Sequence, residues 1–143
     1  MKRLVLLLIA AIMLLAPTGA QALSVGDWGG WPTLGMQFGD KCAGYLGYSN
    51  YGGTTSTSWV LAKVDYNLTK LGDVQTKAGI FYWLTSPDAG TQLGLTWGAA
   101  IMPVNNLSVG FDIILAERNS NPGADATMDI LPGAVFTANL TLF

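Results

Sequence analysis

Four charged residues within otherwise apolar segments could do chemistry together: Lys63 and Asp65, which are two positions apart, then Lys77 and Asp112. Side chains at alternate positions of a strand project from one face, so Lys63 and Asp65 share a face. If the hairpin that follows them pivots at Leu71, Asp65 lies directly opposite Lys77 and forms a cross-strand ion pair with it. We interpret the four residues as a structural plug of paired charges, with a gate or a proton path as the alternative.

Other catalytic chemistry has few candidates. Histidine is absent, so the usual general base and the imidazole ligand of zinc or iron sites are missing. Cys42 is the only cysteine, and we interpret it as a small apolar side chain, with a reactive thiol as the alternative. No helix N-terminus is predicted after any of the frequent glycines, which disfavours a phosphate-binding loop. We therefore expect no enzymatic activity, no catalytic or metal-binding residues and no cofactor.

The N-terminus has the three parts of a secretory signal peptide. A basic start precedes an uninterrupted apolar run, Leu4–Ala16, and the segment ends in "AQA" at Ala22. The 13 residues of the apolar run are too few for a membrane-spanning helix, which needs about 20. We predict cleavage after Ala22, so that residues 1–22 are the signal peptide and residues 23–143 are the mature domain.

Composition and charge narrow the class of protein. Half of the residues are apolar and only 11% are charged, against about 25% in soluble globular domains. The mature segment has five basic and nine acidic residues, which gives a net charge of −4. This balance disfavours nucleic acid as a partner.

The mature segment alternates with a period of two residues, which is typical of strands, and shows no helical period. We predict an all-β fold. The predicted strands are Thr33–Phe38, Cys42–Tyr51, Ser58–Leu68, Val74–Leu84, Thr91–Met102, Leu107–Glu117 and Leu131–Phe143, with a weaker one at Ser24–Gly29.

The two faces of these strands differ in a way that favours a membrane. In one strand Leu93, Leu95 and Trp97 share a bulky apolar face, whereas Gly94 and Thr96 share a small polar one. The polar faces carry too few charges to cover a surface in water, but their small side chains suit a narrow interior. A closed barrel with its apolar face toward lipid and its polar face inside accounts for the shortage of charge.

The predicted connections alternate in length along the chain. Three are short ("GDK", "TKLGD" and "PVNN") and three are longer ("GGTTST", "TSPDAG" and "RNSNPGADATMD"). Transmembrane barrels have this asymmetry, with short periplasmic turns and longer outer loops. Counting the weak strand at Ser24–Gly29, with a turn at "GWP", gives an even number of eight. We therefore predict an antiparallel up-and-down transmembrane β-barrel of about eight strands.

The sequence resembles the small eight-stranded outer-membrane barrels of Gram-negative bacteria, the OmpA transmembrane-domain and OmpX/Ail type. The resemblance rests on the signal peptide, the alternation of short and long connections, the segment "LGLTWGAAIMPVNNLSVGFDIILA" at Leu93–Ala116 and the terminal Phe143. It is architectural and covers the whole mature segment. It implies an outer-membrane location, with outer-membrane lipids as partners, and a role for Phe143 in the signal read by the barrel-assembly machinery. The sequence departs from that signal at Thr141, where a second large apolar residue is usual.

Aromatic residues concentrate near the end of the barrel that carries the longer loops. This outer-rim set is Trp28, Trp31, Tyr48, Tyr51, Trp59, Tyr82 and Trp83. One interpretation is a girdle of rings at the membrane interface. The other is a platform that binds a surface protein or a glycan, since Trp59 and Trp83 have the alternation of the lumen face.

These observations lead to one expected function and two alternatives. We expect a non-catalytic integral outer-membrane barrel with a packed lumen and an envelope-structural or surface-contact role. The alternatives are a secreted soluble β-barrel that binds an apolar ligand, and a small pore.

Overall fold

The computed structural model describes residues 20–51, 57–86 and 90–142, and these form eight strands. The strands are β1 (Ala20–Trp28), β2 (Trp31–Phe38), β3 (Cys42–Tyr51), β4 (Thr57–Leu71), β5 (Val74–Ser86), β6 (Thr91–Val104), β7 (Leu107–Ser120) and β8 (Thr127–Thr141). Within these ranges no helix is long and apolar enough to cross a membrane.

Each strand pairs antiparallel with the next, and β8 pairs with β1 to close the barrel. The prediction of an all-β, eight-stranded, up-and-down barrel is confirmed. The weak first strand is part of it and begins at Ala20, inside the segment assigned to the signal peptide. Most of that segment, residues 1–19, and the terminal Phe143 lie outside the described residues, so both assignments stay predictions.

The connections define two ends of the barrel. The end that holds the turns at 39–41, 72–73 and 105–106 is called here the short-turn end, and both described chain ends lie there. At the opposite, long-loop end β3 ends at Tyr51 and β5 ends at Ser86, and this end also holds the connection 121–126 and a two-residue turn, Gly29–Gly30. Both glycines of this turn have positive φ (65° and 88°), the conformation of tight hairpins. The predicted turn at "GWP" is therefore displaced, because Trp31 and Pro32 already belong to β2.

The predicted register of the β4–β5 hairpin is wrong. Asp65 lies opposite Gly79, and Lys77 lies opposite Asn67. The turn is formed by Gly72 and Asp73, with Gly72 at a φ of 61°, so β4 continues through Leu71 instead of turning there. The predicted loop "RNSNPGADATMD" is likewise shorter than expected, because β7 and β8 extend into it and pair as far as Asn119 and Thr127.

Four charged residues lie inside the barrel, and many large apolar residues are exposed on its outside. Lys63, Asp65, Lys77 and Asp112 are between 0% and 8% exposed. They lie beside an interior apolar cluster of Trp28, Leu61 and Phe81, against which Trp83, Ile114 and Val135 pack. Exposed large apolar side chains occur on every strand whose burial is described from end to end, from Leu34 of β2 to Leu140 of β8.

Large lumen side chains lie opposite glycines on neighbouring strands. The directly paired positions are Gly26 with Asn139, Gly35 with Tyr45, Gly47 with Leu61, Gly79 with Asp65, Gly94 with Phe81, and Gly98 with Asp112. A Cβ atom on Gly94 would overlap the Phe81 ring, and one on Gly98 would overlap the Asp112 carboxylate. An eight-stranded barrel encloses only enough space for side chains. The glycines therefore supply the room in which bulky and charged groups fit.

Candidate functional site

The four charged residues predicted to face the lumen come together in one network, called here the charged quartet. Lys77 Nζ lies 3.1 Å from Asp65 Oδ2 and 3.0 Å from Asp112 Oδ1. Lys63 Nζ lies 3.1 Å from Asp112 Oδ2 and also contacts Asp65 Oδ1. Each amine thus lies between the two carboxylates, and the quartet has no net charge.

Two aromatic residues that the sequence reasoning did not connect with the charges hold the quartet in place. Trp28 Nε1 donates a hydrogen bond of 2.8 Å to Asp112 Oδ2. Lys63 Nζ lies 5.5 Å from the centre of the Tyr45 ring, within range of a cation–π contact. The contact between Trp28 and Asp112 does not follow from a spacing in the sequence, because the two residues are 84 positions apart. It forms only when barrel closure brings β1 and β7 around one lumen. Tyr45, in contrast, lies directly opposite Lys63 on the neighbouring strand.

The register explains how Lys77 reaches Asp65 without facing it. Lys77 lies opposite Asn67, two positions along β4 from Asp65, so its long side chain runs diagonally across the hairpin. Gly79, opposite Asp65, leaves the space into which that carboxylate extends. The expected ion pair therefore forms between diagonal neighbours, with the hydrogen bond at 3.1 Å.

Little space remains around the quartet. A cavity of about 10 Å³ lies between Tyr45, Lys63, Asp65 and Lys77, and it is bordered by Thr33 and Asn139 among others. That volume corresponds to about one water molecule. Buried charges are tolerated when they are paired and hydrogen-bonded. The arrangement therefore holds fixed charges in a filled lumen, and its role as a plug or a gate stays a prediction.

The aromatic residues predicted at the outer rim divide into two groups. The four tryptophans form one cluster inside the lumen, toward the long-loop end. Trp31 and Trp83 pack edge to face with ring centres 4.7 Å apart, and Trp59 packs against both at 5.4 Å. Trp28 continues the cluster inward, with ring centres 6.0 Å from Trp83 and 5.2 Å from Phe81.

The tyrosines behave differently. Tyr48 and Tyr82 face outward and are 50% and 43% exposed. The side chain of Tyr51 lies outside the described residues. A girdle of outward-facing rings therefore describes two tyrosines but not the tryptophans, because the alternation of the strands and the barrel closure turn the indoles inward.

A group of hydrogen-bonded polar side chains at the long-loop end was not predicted from the sequence. Asn119 Nδ2 donates hydrogen bonds to Glu117 Oε1 at 3.1 Å and to Asp129 Oδ2 at 2.9 Å. Glu117 and Asp129 lie directly opposite each other on β7 and β8. The sequence reasoning assigned residues 118–129 to a loop, which concealed this pairing. A strict period of two would have placed Glu117 and Asn119 on the outer face with Leu115. The bulge at Leu115, where Thr96 pairs with Ile114 and Leu95 with Ala116, turns them toward the lumen.

Comparison with protein-family models, curated proteins and solved structures gave no match to this chain. Within the described ranges, no group of three or more histidine, cysteine, aspartate or glutamate side chains could hold a metal ion. The site is therefore interpreted from its own geometry. The charged quartet, whose net charge is zero, lies inside the barrel. The tryptophan cluster and the carboxylates of Glu117 and Asp129 lie toward the long-loop end.

Proposed function

We propose that this protein is a non-catalytic integral outer-membrane β-barrel with a packed lumen and an envelope-structural or surface-contact role. The observation that carries the proposal is the reversed distribution of polarity around a closed barrel. Four charged side chains lie buried inside, whereas large apolar side chains are exposed on the outside. Pairing of β8 with β1 closes the sheet, and paired backbone groups are the condition for crossing a membrane with strands.

The outer surface supports this proposal in detail. Val64 on β4, Ile80 on β5 and Leu95 on β6 are 52%, 46% and 53% exposed, and all three lie in the middle part of the barrel wall. A monomeric soluble protein rarely exposes contiguous apolar patches of more than a few hundred Å². In lipid the same side chains are favourable.

The filled lumen argues against both alternative functions. A soluble barrel that binds an apolar ligand would need an apolar interior cavity, but the described cavity at the quartet has room for about one water and is bordered by charges. A pore needs a continuous aqueous path, and the quartet and the tryptophans occupy the lumen along it.

Fractionation of cells that express the full chain tests the membrane location. The protein should remain in the membrane pellet after a carbonate wash, dissolve in detergent, and migrate differently on a gel before and after boiling. Release into the carbonate supernatant would contradict the proposal. Planar bilayers test the packed lumen, since single-channel conductance would favour the pore.

A matched pair of substitutions separates lipid from water at the outer surface. Val64→Lys places a cation at mid-wall, and Val104→Lys places one beside the short turn; the native valines are 52% and 60% exposed. In lipid, the mid-wall lysine should cost about 2–4 kcal/mol and the other about 0–1 kcal/mol. Unfolding in urea from lipid vesicles measures both. Equal, small effects would indicate that both positions face water.

A further inference from the structure

The lumen-facing surface at the long-loop end is called here the mouth, and it has an aromatic side and an acidic side. Trp31, Trp59 and Trp83 form the aromatic side and are only partly buried. Gly94, opposite Phe81, faces the lumen; Glu117 lies opposite Gly94, and Asp129 lies opposite Glu117. Directly paired positions share a face of the sheet, so both carboxylates belong to the mouth.

Two buried polar atoms of the mouth have no hydrogen-bond partner. They are Trp83 Nε1, a donor, and Asn119 Oδ1, an acceptor. Gln92 lies between them, opposite Trp83 on one side and opposite Asn119 on the other. The two residues are therefore two strands apart, about 10 Å. A buried unpaired polar group costs free energy, so both atoms are local sites of destabilisation at this end of the lumen.

The carboxylates of the mouth also lack a positive partner. Glu117 and Asp129 face each other directly, an arrangement that destabilises a strand pair when both residues are charged alike. Among the described residues, every lysine in an ion pair belongs to the charged quartet, and none reaches Glu117 or Asp129. The shared Asn119 amide donates to both carboxylates but does not neutralise them.

The distribution of charge along the barrel points to the same end. Asp27, Glu117, Asp125 and Asp129 lie near the long-loop end with Arg118 as their one basic neighbour in the described ranges, a net charge of −3. The quartet is neutral, and the described short-turn end has two acidic and two basic residues. The net negative charge of the described barrel is thus concentrated around the mouth, where it attracts cations.

We propose that the mouth is a binding site for a small organic cation. The cationic head lies against the partly exposed tryptophan faces, which attract cations through the ring quadrupole. Glu117 and Asp129 compensate its charge from the side. The site goes beyond the proposed membrane role and does not depend on it, because the mouth is formed by the barrel itself.

Binding is tested on the folded full chain in detergent by following the indole N–H resonances during titration with choline. We expect a saturable shift of the Trp83 resonance and none at Trp97, which lies on the outer wall and is 37% exposed. The uncharged isostere 3,3-dimethylbutan-1-ol should give no comparable shift, because it has the same shape without the charge. No response to choline, or an equal response to both compounds, would overturn the proposal.

Variants of the mouth identify the groups responsible. Glu117→Gln combined with Asp129→Asn should weaken choline binding at least about tenfold, since both compensating charges are removed. The control is Asp73→Asn, which removes an exposed carboxylate at the short-turn end. Unchanged affinity in the double variant would refute the acidic half of the site. A matching Trp83 shift with calcium chloride alone would show a metal site instead. Membrane fractionation is a separate readout, so failure of one proposal is distinguishable from failure of the other.

Discussion

The charged quartet makes a quantitative prediction about Lys77. In Lys77→Met the side-chain length is retained but the amine is lost, so Asp65 and Asp112 share only Lys63. The lumen then holds one uncompensated buried negative charge. Removing one partner of a buried ion pair costs about 3–5 kcal/mol. Asp65 and Asp112 are 2% and 0% exposed, so we expect Lys77→Met to lower the free energy of unfolding by an amount in this range.

The matched control is Lys70→Met, because Lys70 is exposed near the short-turn end and takes part in no described ion pair. Its substitution should change the free energy of unfolding by less than about 0.5 kcal/mol. Both variants can be unfolded in urea from detergent or vesicles, with the heat-dependent gel shift reporting the folded fraction.

A double variant decides whether charge balance is the cause. In Lys77→Met with Asp112→Asn the quartet is reduced to the Lys63–Asp65 pair, and the Asn side-chain oxygen can still accept from Trp28 Nε1. The lumen is neutral again, so the double variant should be more stable than Lys77→Met alone. Additive losses, with the double variant the least stable, would refute the reasoning, because they would mean that contacts rather than charge balance set the cost.

Two further substitutions test the packing of the lumen. Gly94→Ala should destabilise the barrel by about 1–3 kcal/mol because its Cβ overlaps the ring opposite, whereas Gly133→Ala should be tolerated because no atom lies within 4 Å of its Cβ position; equal unfolding midpoints in urea would contradict this. Trp28→Phe removes the hydrogen bond to Asp112 and should cost about 1.5–3 kcal/mol in the same assay. A loss below about 0.5 kcal/mol would show that this bond contributes little.

The sequence allowed the fold to be predicted because alternation needs only local information. The faces of β4 to β6 and of the first part of β7 could be assigned from the period of two, and the structure buries Lys63, Asp65, Lys77 and Asp112 as that assignment requires. Beyond the bulge at Leu115 the faces of β7 are reversed, which the period of two did not indicate. The number of strands followed from the alternation and the connections. Strand ends were less accurate, because turn-forming residues such as Asn119 and Ser120 also pair within strands.

The candidate site was predicted in composition but not in geometry. The lumen charges were recognised, but Trp28, the partner of Asp112, lies 84 positions away in the sequence. Tyr45 lies opposite Lys63 on the neighbouring strand, in a β3–β4 register that the sequence analysis did not assign. The tryptophans were placed at the correct end, but their common cluster depends on barrel closure, which brings β2, β4 and β5 around one lumen. Contacts of this kind require the register of every strand pair between the two residues.

The glycine pairs show why register was the missing information. In the structure Gly79 faces Asp65, and Gly98 faces Asp112, so each buried carboxylate lies beside a position without a side chain. With the hairpin pivot at Leu71, Gly79 would instead have faced Lys63, and Asp65 would have faced Lys77 without the space that Gly79 leaves for its carboxylate. Size alone does not determine the register, because large lumen residues also face each other in this hairpin, as Lys63 faces Phe81 and Leu61 faces Trp83. The register is instead set by the two-residue turn at Gly72 and Asp73, where Gly72 has a φ of 61° that favours glycine.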